Sequence, residues 1–171
     1  MPRKRILYQG KFIRLVSQDG WEFVERHTCS GIVIILAVTD KGKLLFVEQF
    51  RTPVGKKVIE LPAGLVDDQE EREGPETAAR RELLEETGYE AKKLEHLVTG
   101  PVNTGLSADV YSFYRARGLV RRGPGGGADR FEDITVHEVP LNDVPAWLEK
   151  ISRKGLLIDP KVYAGLYFLN Q

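Results

Sequence analysis

The sequence predicts an α+β fold in a single domain, and three observations predict it. Short runs with strand character fill most of the chain, and turn signals separate them. One strong helical pattern stands in the middle. Two further helical segments gather at the C-terminal end. Mixed strands with segregated helices indicate a sandwich and not a doubly wound sheet. A chain of 171 residues suits one domain with a small appendage. A domain of that size buries roughly 70% of its unfolded surface, so folding needs no staple.

The elements follow in order. "KFIRLVSQ" and "WEFVERHTC" alternate and are rich in aromatic and β-branched residues, which predicts two strands joined by a turn at Asp19 and Gly20. "SGIVIILAVT", a turn from Asp40 to Lys43, and "LLFVEQF" predict a stronger hairpin whose first strand is buried. "KKVIELPAG" reads as one short strand ending at Pro62 and Gly64, and "LVDDQEEREG" as a polar loop. Pro75 suits the first turn of a helix and Gly88 its stop, with the good helix formers of "ETAARRELLEET" between them, so a helix is expected over 75–87. "KLEHLVTGPV", "DVYSFYRARGL" and "DITVHEVPL" read as strands. "RRGPGGGADR" has too many glycines for regular structure and predicts a mobile loop. "LNDVPAWLEKISRKG" and "DPKVYAGLYFLNQ" read as closing helices, and the chain shows no internal repeat.

Composition excludes several function classes. Lys and Arg number 25, as do Asp and Glu, so bulk charge points to neither a nucleic-acid nor a membrane partner. Cys29 is the only cysteine, which excludes an internal disulfide and a cysteine-based zinc site. "ILYQGKFIRL" is too polar for a signal-peptide core, and "GIVIILAV" is too short to span a bilayer, so the expected location is the cytoplasm.

"ARRELLEETGYEA" holds the chemistry. Glu82, Glu85 and Glu86 lie within one arc of about 100° on the expected helix. Like charges at this spacing destabilise a helix by a few tenths of a kcal/mol per pair. Arg80, Leu84 and Thr87 are expected on the opposite side, with Ala78 and Ala79 too small to cover the acidic arc, which leaves it open. Two readings compete: a solvated acidic face with Arg81 pairing Glu85, or a site for a hard cation such as Mg²⁺, which takes oxygen ligands and keeps waters and substrate phosphates. The helix alone does not separate them.

With its flanks, the stretch from Gly64 to Tyr89 resembles the signature box of the Nudix hydrolases. That box is a glycine, five residues, a glutamate, seven residues, then Arg-Glu-apolar-any-Glu-Glu-any-Gly-apolar. Arg81, Glu82, Leu83, Leu84, Glu85, Glu86, Thr87, Gly88 and Tyr89 match its second half at every defined position. In the first half, Glu73 has the required spacing to Arg81 and Glu70 the required spacing to Gly64, so the loop carries three extra residues and either glutamate could be the box glutamate.

The resemblance implies an α/β/α sandwich with a mixed sheet and an N-terminal antiparallel strand extension. It divides the chain into residues 1–30, a strand region for dimerisation and base binding, and a Nudix domain over 31–171. It implies that Glu82, Glu85 and Glu86, with the Ala63 carbonyl, hold Mg²⁺ or Mn²⁺ against a diphosphate, and that Arg81 orients the glutamates. Water then attacks one phosphorus of a nucleoside diphosphate linked to a second group. In the ADP-sugar branch a loop past the box often supplies a glutamate as base, which makes Glu132 the candidate here, with Asp129 and Asp133 as rivals.

"EQFR", "ELPAGL" and "DPKVYAGLYFL" resemble the pyrophosphatases of ADP-ribose and other nucleoside diphosphate sugars. That likeness implies that Arg51 contacts the diphosphate. "GWEFVERHT" resembles the segment in which eukaryotic ADP-sugar enzymes stack a tryptophan on adenine, which implies base stacking by Trp21, polar contacts from Glu22 and Arg26, and a homodimer with a shared site. Members of the ADP-ribose group often have a proline about sixteen residues past the box, where this chain has Asn103 or Thr104. GDP-mannose, another nucleotide sugar, a dinucleoside polyphosphate or a nucleoside triphosphate therefore stays open as substrate. A nucleotide-sugar-binding regulator without hydrolysis is a further reading, and the retention of all three glutamates weighs against it.

Overall fold

The computed structural model of the chain describes residues 4–67, 73–128 and 133–169. Three strands open it, β1 (Arg5–Gln9), β2 (Ile13–Gln18) and β3 (Trp21–Arg26), and they form an antiparallel sheet of their own. Asp19 and Gly20 turn β2 into β3, both at positive φ (55° and 82°), the left-handed pair that a tight hairpin requires. β1 was not expected from the sequence. All five of its residues are exposed, so no buried face imposes an apolar period on them.

Two four-stranded sheets make the body. One is ordered β7-β4-β9-β8, from β4 (Gly31–Ala37), β7 (Ala63–Val66), β8 (Tyr89–Pro101) and β9 (Val110–Arg121), with β4 and β9 parallel. The other is ordered β10-β5-β6-β11, from β5 (Lys43–Arg51), β6 (Lys56–Glu60), β10 (Thr135–Pro140) and β11 (Leu157–Ile158), with β6 and β11 parallel. The helices are α1 (Pro75–Thr87), α2 (Val144–Arg153) and α3 (Pro160–Leu169). The architecture is the expected α+β class with mixed sheets.

β4 organises the layers. Val33, Ile35 and Ala37 join a cluster with Ala78, Ala79 and Leu83 of α1. Ile34 and Leu36 join the opposite cluster with Phe46, Leu148 of α2 and Val162 of α3. A strand covered on both faces reads as an unbroken apolar run, as "GIVIILAV" does.

"KKVIELPAG" is two strands and not one. β6 ends at Glu60, β7 begins at Ala63, and they belong to different sheets. Pro62, which has no N–H to give to a ladder, lies between them, and its carbonyl accepts from the Ile35 N–H at 2.8 Å. β8 starts directly after Gly88 and is longer than expected, because Tyr89 and Ala91 are buried while their neighbours are exposed. Among the described residues no helix is long and apolar enough to cross a membrane.

Leu83 is fully buried, whereas Leu84 beside it is 41% exposed. Leu83→Ala is expected to lower the unfolding free energy by about 3 kcal/mol, and Leu84→Ala by less than about 1 kcal/mol. Urea titration of both variants checks this, and equal losses would mean that α1 packs through a different face.

Candidate active site

The site starts with how α1 is set. Pro75 occupies its first turn, and Gly88 closes it at φ 74°, with the Gly88 N–H donating to the Leu84 carbonyl at 2.8 Å. Ala78, Ala79, Glu82, Leu83, Glu86 and Thr87 are its buried residues. The acidic arc is therefore not open, and Thr87 does not lie on an outward side. Glu82 and Glu86 share the buried half of the helix with the apolar residues, and Glu86 is only 4% exposed.

What covers the arc is β7, and a glycine makes the approach possible. A Cβ on Gly64 would fall 1.8 Å from the Glu82 carboxyl carbon, so the glutamate occupies the space where a side chain would stand. One residue earlier, the Ala63 N–H donates to Glu86 Oε2 at 3.0 Å. The structure thus brings the Ala63 amide to Glu86.

Arg81 joins the rest. Its Nε and Nη2 reach the two carboxylate oxygens of Glu73 at 3.0 and 3.1 Å, and Nη2 also donates to the Leu65 carbonyl at 3.0 Å. Nη1 donates to Glu82 at 2.8 Å and to Glu85 at 3.1 Å. The side chain of Glu73 is 5% exposed and that of Arg81 17%. Ionised groups this deep persist only when paired and hydrogen-bonded. The structure therefore places Glu73 on the arginine of the box, while Glu70 lies outside the described residues.

Among the described residues no three His, Cys, Asp or Glu side chains converge as a preformed ion cage. Glu82 and Glu85 are turned to Arg81, and Glu86 to Ala63. The donor set itself suits a hard cation, since Glu82, Glu85 and Glu86 offer only carboxylate oxygens. Those three would hold it.

Residues 122–127 pack against the end of α1. Gly126 and Gly127 donate to the carbonyls of Glu86 and Glu85 at 2.8 and 3.1 Å, and the Arg122 N–H to that of Gly88 at 2.7 Å. This part of the glycine-rich segment, expected to be mobile, is tied to the helix by hydrogen bonds. A second tie comes from Tyr89, whose hydroxyl donates to Glu138 on β10 at 2.6 Å. That bond, with Lys43, holds the Glu138 carboxyl below its ordinary range against the opposing effect of burial.

The remaining expected residues are spread out. Arg51, exposed at the end of β5, donates to the buried Glu60 at 2.7 Å, three residues ahead of Ala63. Trp21 is 60% exposed. It lines an open cavity of about 400 Å³ with Gln18, Phe23, Thr104, Gly105 and Ser107. Asp19 also lines that cavity, and Glu82, Glu85 and Glu86 do not. Strand alternation puts Glu22 and Arg26 on the other face of β3 from Trp21, and Arg26 faces Asp109 at 3.4 Å. Glu132 and Asp129 lie outside the described residues, and Asp133 is exposed.

Sequence reasoning missed the wall opposite Trp21. Asn103 Oδ1 accepts from the Gly105 and Leu106 N–H groups at 3.0 Å each, which shapes the turn. Val24 N–H then donates to the Leu106 carbonyl at 2.8 Å, and the Ala108 N–H to the Val24 carbonyl at 2.9 Å, so β3 is fastened to this turn. The signal was present in "NTG", a turn sequence standing where relatives carry a proline.

Comparisons with known proteins agree with this arrangement. The NUDIX domain profile matches residues 29–156. The methanol dehydrogenase activator of Bacillus methanolicus is 33% identical over 141 residues, which covers 82% of this chain and 73% of that protein. The ADP-ribose pyrophosphatase of Bacillus subtilis is 40% identical over 148 residues, covering 82% and 77%. An ADP compounds hydrolase of known crystal structure superposes with a TM-score of 0.66 at 18% identity, over 85% of this chain and 83% of its own, and so shares the fold. With a profile match over most of its length and the box residue Glu82 seated against Gly64, the chain belongs to the Nudix family.

Proposed function

We infer that this protein hydrolyses the diphosphate bond of ADP-ribose or a related nucleoside diphosphate sugar, giving a nucleoside monophosphate and a sugar phosphate, with Mg²⁺ or Mn²⁺ as cofactor. The observation that carries this reading is the carboxylate group of Glu82, Glu85 and Glu86 on α1, with Glu82 against Gly64 and Glu86 on the Ala63 amide of β7, and with Glu82 and Glu85 bound by Arg81. The relative named ADP-ribose pyrophosphatase supports the substrate class. A bound divalent cation supplies neutralisation of charge on the phosphoryl oxygens. Arg81 fixes where Glu82 and Glu85 stand, and the Ala63 amide does the same for Glu86. Arg51 is the proposed diphosphate contact, held in place by Glu60. Glu132 is the proposed base on the family resemblance, with Asp129 and Asp133 as its rivals. Trp21 is the proposed stacking surface for the base.

A homodimer belongs to the same proposal. Ile6, Leu7, Tyr8, Phe12, Ile13 and Trp21 are large apolar residues left exposed in the first 30 residues, and this concentration of exposed apolar side chains supports an interaction surface there. Separation of the Trp21 cavity from the carboxylates supports a site completed by a second copy.

Product analysis tests the reaction. The protein is incubated with equimolar ADP-ribose, GDP-mannose, UDP-glucose and diadenosine tetraphosphate, with Mg²⁺ and with chelator. Metal-dependent AMP from ADP-ribose, with the others largely intact, is the expected result. No turnover of any of the four removes the reading and favours a binding role. Glu86→Gln keeps an oxygen to accept from Ala63, so folding stability is expected to change by less than about 1 kcal/mol. Turnover is expected to fall roughly 100-fold or more, about 2.7 kcal/mol of transition-state stabilisation. Near-normal turnover in the folded variant sinks the assignment. Trp21→Ala is expected to raise KM about tenfold with kcat little changed, the signature of a lost ground-state contact. If KM is unchanged while sedimentation shows the dimer lost, Trp21 is an interface residue instead.

A further inference from the structure

We propose that Gly125, through the backbone clasp of residues 122–127, is a positioning residue for Glu85 and Glu86. The proposal rests on the reading of these glutamates as cation ligands. The last carbonyls of a helix have no partner within it, and here the glycine segment supplies the donors. Gly126 N–H donates to the Glu86 carbonyl at 2.8 Å and Gly127 N–H to the Glu85 carbonyl at 3.1 Å. The two residues so held are the same two whose carboxylates belong to the site.

Only glycine permits this approach. At Gly125, φ is 72°, and an added Cβ would stand 2.5 Å from the Thr87 carbonyl carbon, 2.7 Å from the Glu86 carbonyl oxygen and 2.8 Å from the Gly88 nitrogen. All three are backbone atoms of the end of α1, so a clash there moves the helix or the clasp and not a pliable side chain. The contact is reciprocal, because a Cβ on Gly88 would fall 2.2 Å from the Gly123 carbonyl oxygen. If the clasp lifts, the carbonyls of Glu85 and Glu86 lose their donors. If it stays, the last turn must shift. Either response displaces the Cα atoms from which Glu85 and Glu86 project, and Glu86 has to meet the Ala63 amide at 3.0 Å.

The test compares Gly125→Ala with Gly42→Ala. Gly42 has nearly the same φ, 68°, but nothing within 4 Å of an added Cβ, so it reproduces the backbone strain without the contact. Mn²⁺ binding to the protein alone is followed by the electron paramagnetic resonance of free Mn²⁺, and kcat and KM are measured with ADP-ribose and Mg²⁺. Gly125→Ala is expected to weaken Mn²⁺ binding about tenfold or more and to lower kcat by a similar factor with KM little changed. Gly42→Ala is expected to stay within about twofold of the original in both. Wild-type Mn²⁺ affinity and kcat in folded Gly125→Ala overturn the proposal and leave the proposed function standing. Failure of the unmodified protein to bind Mn²⁺ removes both. If Gly125→Ala does not fold, Gly126→Ala replaces it. Its φ is 110° and its Cβ would meet nothing closer than the Ile134 carbonyl at 3.8 Å, so it strains the clasp without a clash. Weakened Mn²⁺ binding supports the proposal there, and wild-type binding overturns it.

Discussion

Carboxylates do not gather in a half-dry place without a counter-charge, and the site depends on Arg81 to supply one. Its guanidinium reaches Glu73 with two nitrogens and Glu82 and Glu85 with the third, and it also donates to the Leu65 carbonyl. One planar group thus fastens three things together: the residue before the helix, the helix itself, and β7. A lysine has a single compact ammonium and cannot present a rigid fork to several acceptors at once. The repulsion within "ELLEE" is tolerated because the positive charge that offsets it is the neighbouring residue. A divalent cation entering the site would compete with Arg81 for Glu82 and Glu85. That competition keeps the carboxylates satisfied in both conditions.

The rest of the fold holds this group still. β4 is covered on both faces, so it positions α1 on one side and α2 and α3 on the other. β7 pairs with β4 in a register that sets Ile34 opposite Ala63 and Val33 opposite Gly64. The strand that is best buried therefore fixes the two backbone positions that touch Glu86 and Glu82. Gly64, Gly88 and Gly125 are each needed for closeness: the first to a carboxylate, the other two to each other's backbone.

Much of this was legible in the sequence. The helix over 75–87 and the buried strand "GIVIILAV" follow from local periodicity and from cap residues, and the structure has them, whereas β4 and β5, expected to pair as a hairpin, lie in different sheets and are joined only by an isolated bridge between Val38 and Leu44. The closeness of Glu82, Glu85 and Glu86 follows from helical spacing alone. What covers them does not, because Gly64 stands far ahead of Glu82 in the chain and only the pairing of β7 brings it there. For the same reason, counting could not decide between Glu73 and Glu70, whereas the structure shows Glu73 paired with Arg81. In "RRGPGGGADR", glycine content reports conformational freedom and is silent about partners: residues 122–128 have no regular structure, as expected, yet Gly126 and Gly127 donate to carbonyls of α1. β1 carries no buried period and β11 is only two residues long, so neither had a pattern to read.

The separation between the carboxylates and the Trp21 cavity has a consequence for how one substrate is read. In the proposed reaction the diphosphate is handled at β7 and α1, and the base at β3 and the turn between β8 and β9. That turn is fastened to β3 through Val24, β9 pairs with β4, and β4 pairs with β7. Within one protomer, the position of the Trp21 cavity relative to β7 and α1 is therefore set by sheet registers and not by a loose loop. Thr104, Gly105 and Ser107 line the Trp21 cavity, and Arg81 and the three box glutamates do not. If the base is read there, as proposed, the shared diphosphate chemistry and the choice of base are carried by different strands, so one can vary without disturbing the other. The same fold can then serve relatives named for different activities, as the activator from Bacillus methanolicus and the pyrophosphatase from Bacillus subtilis are.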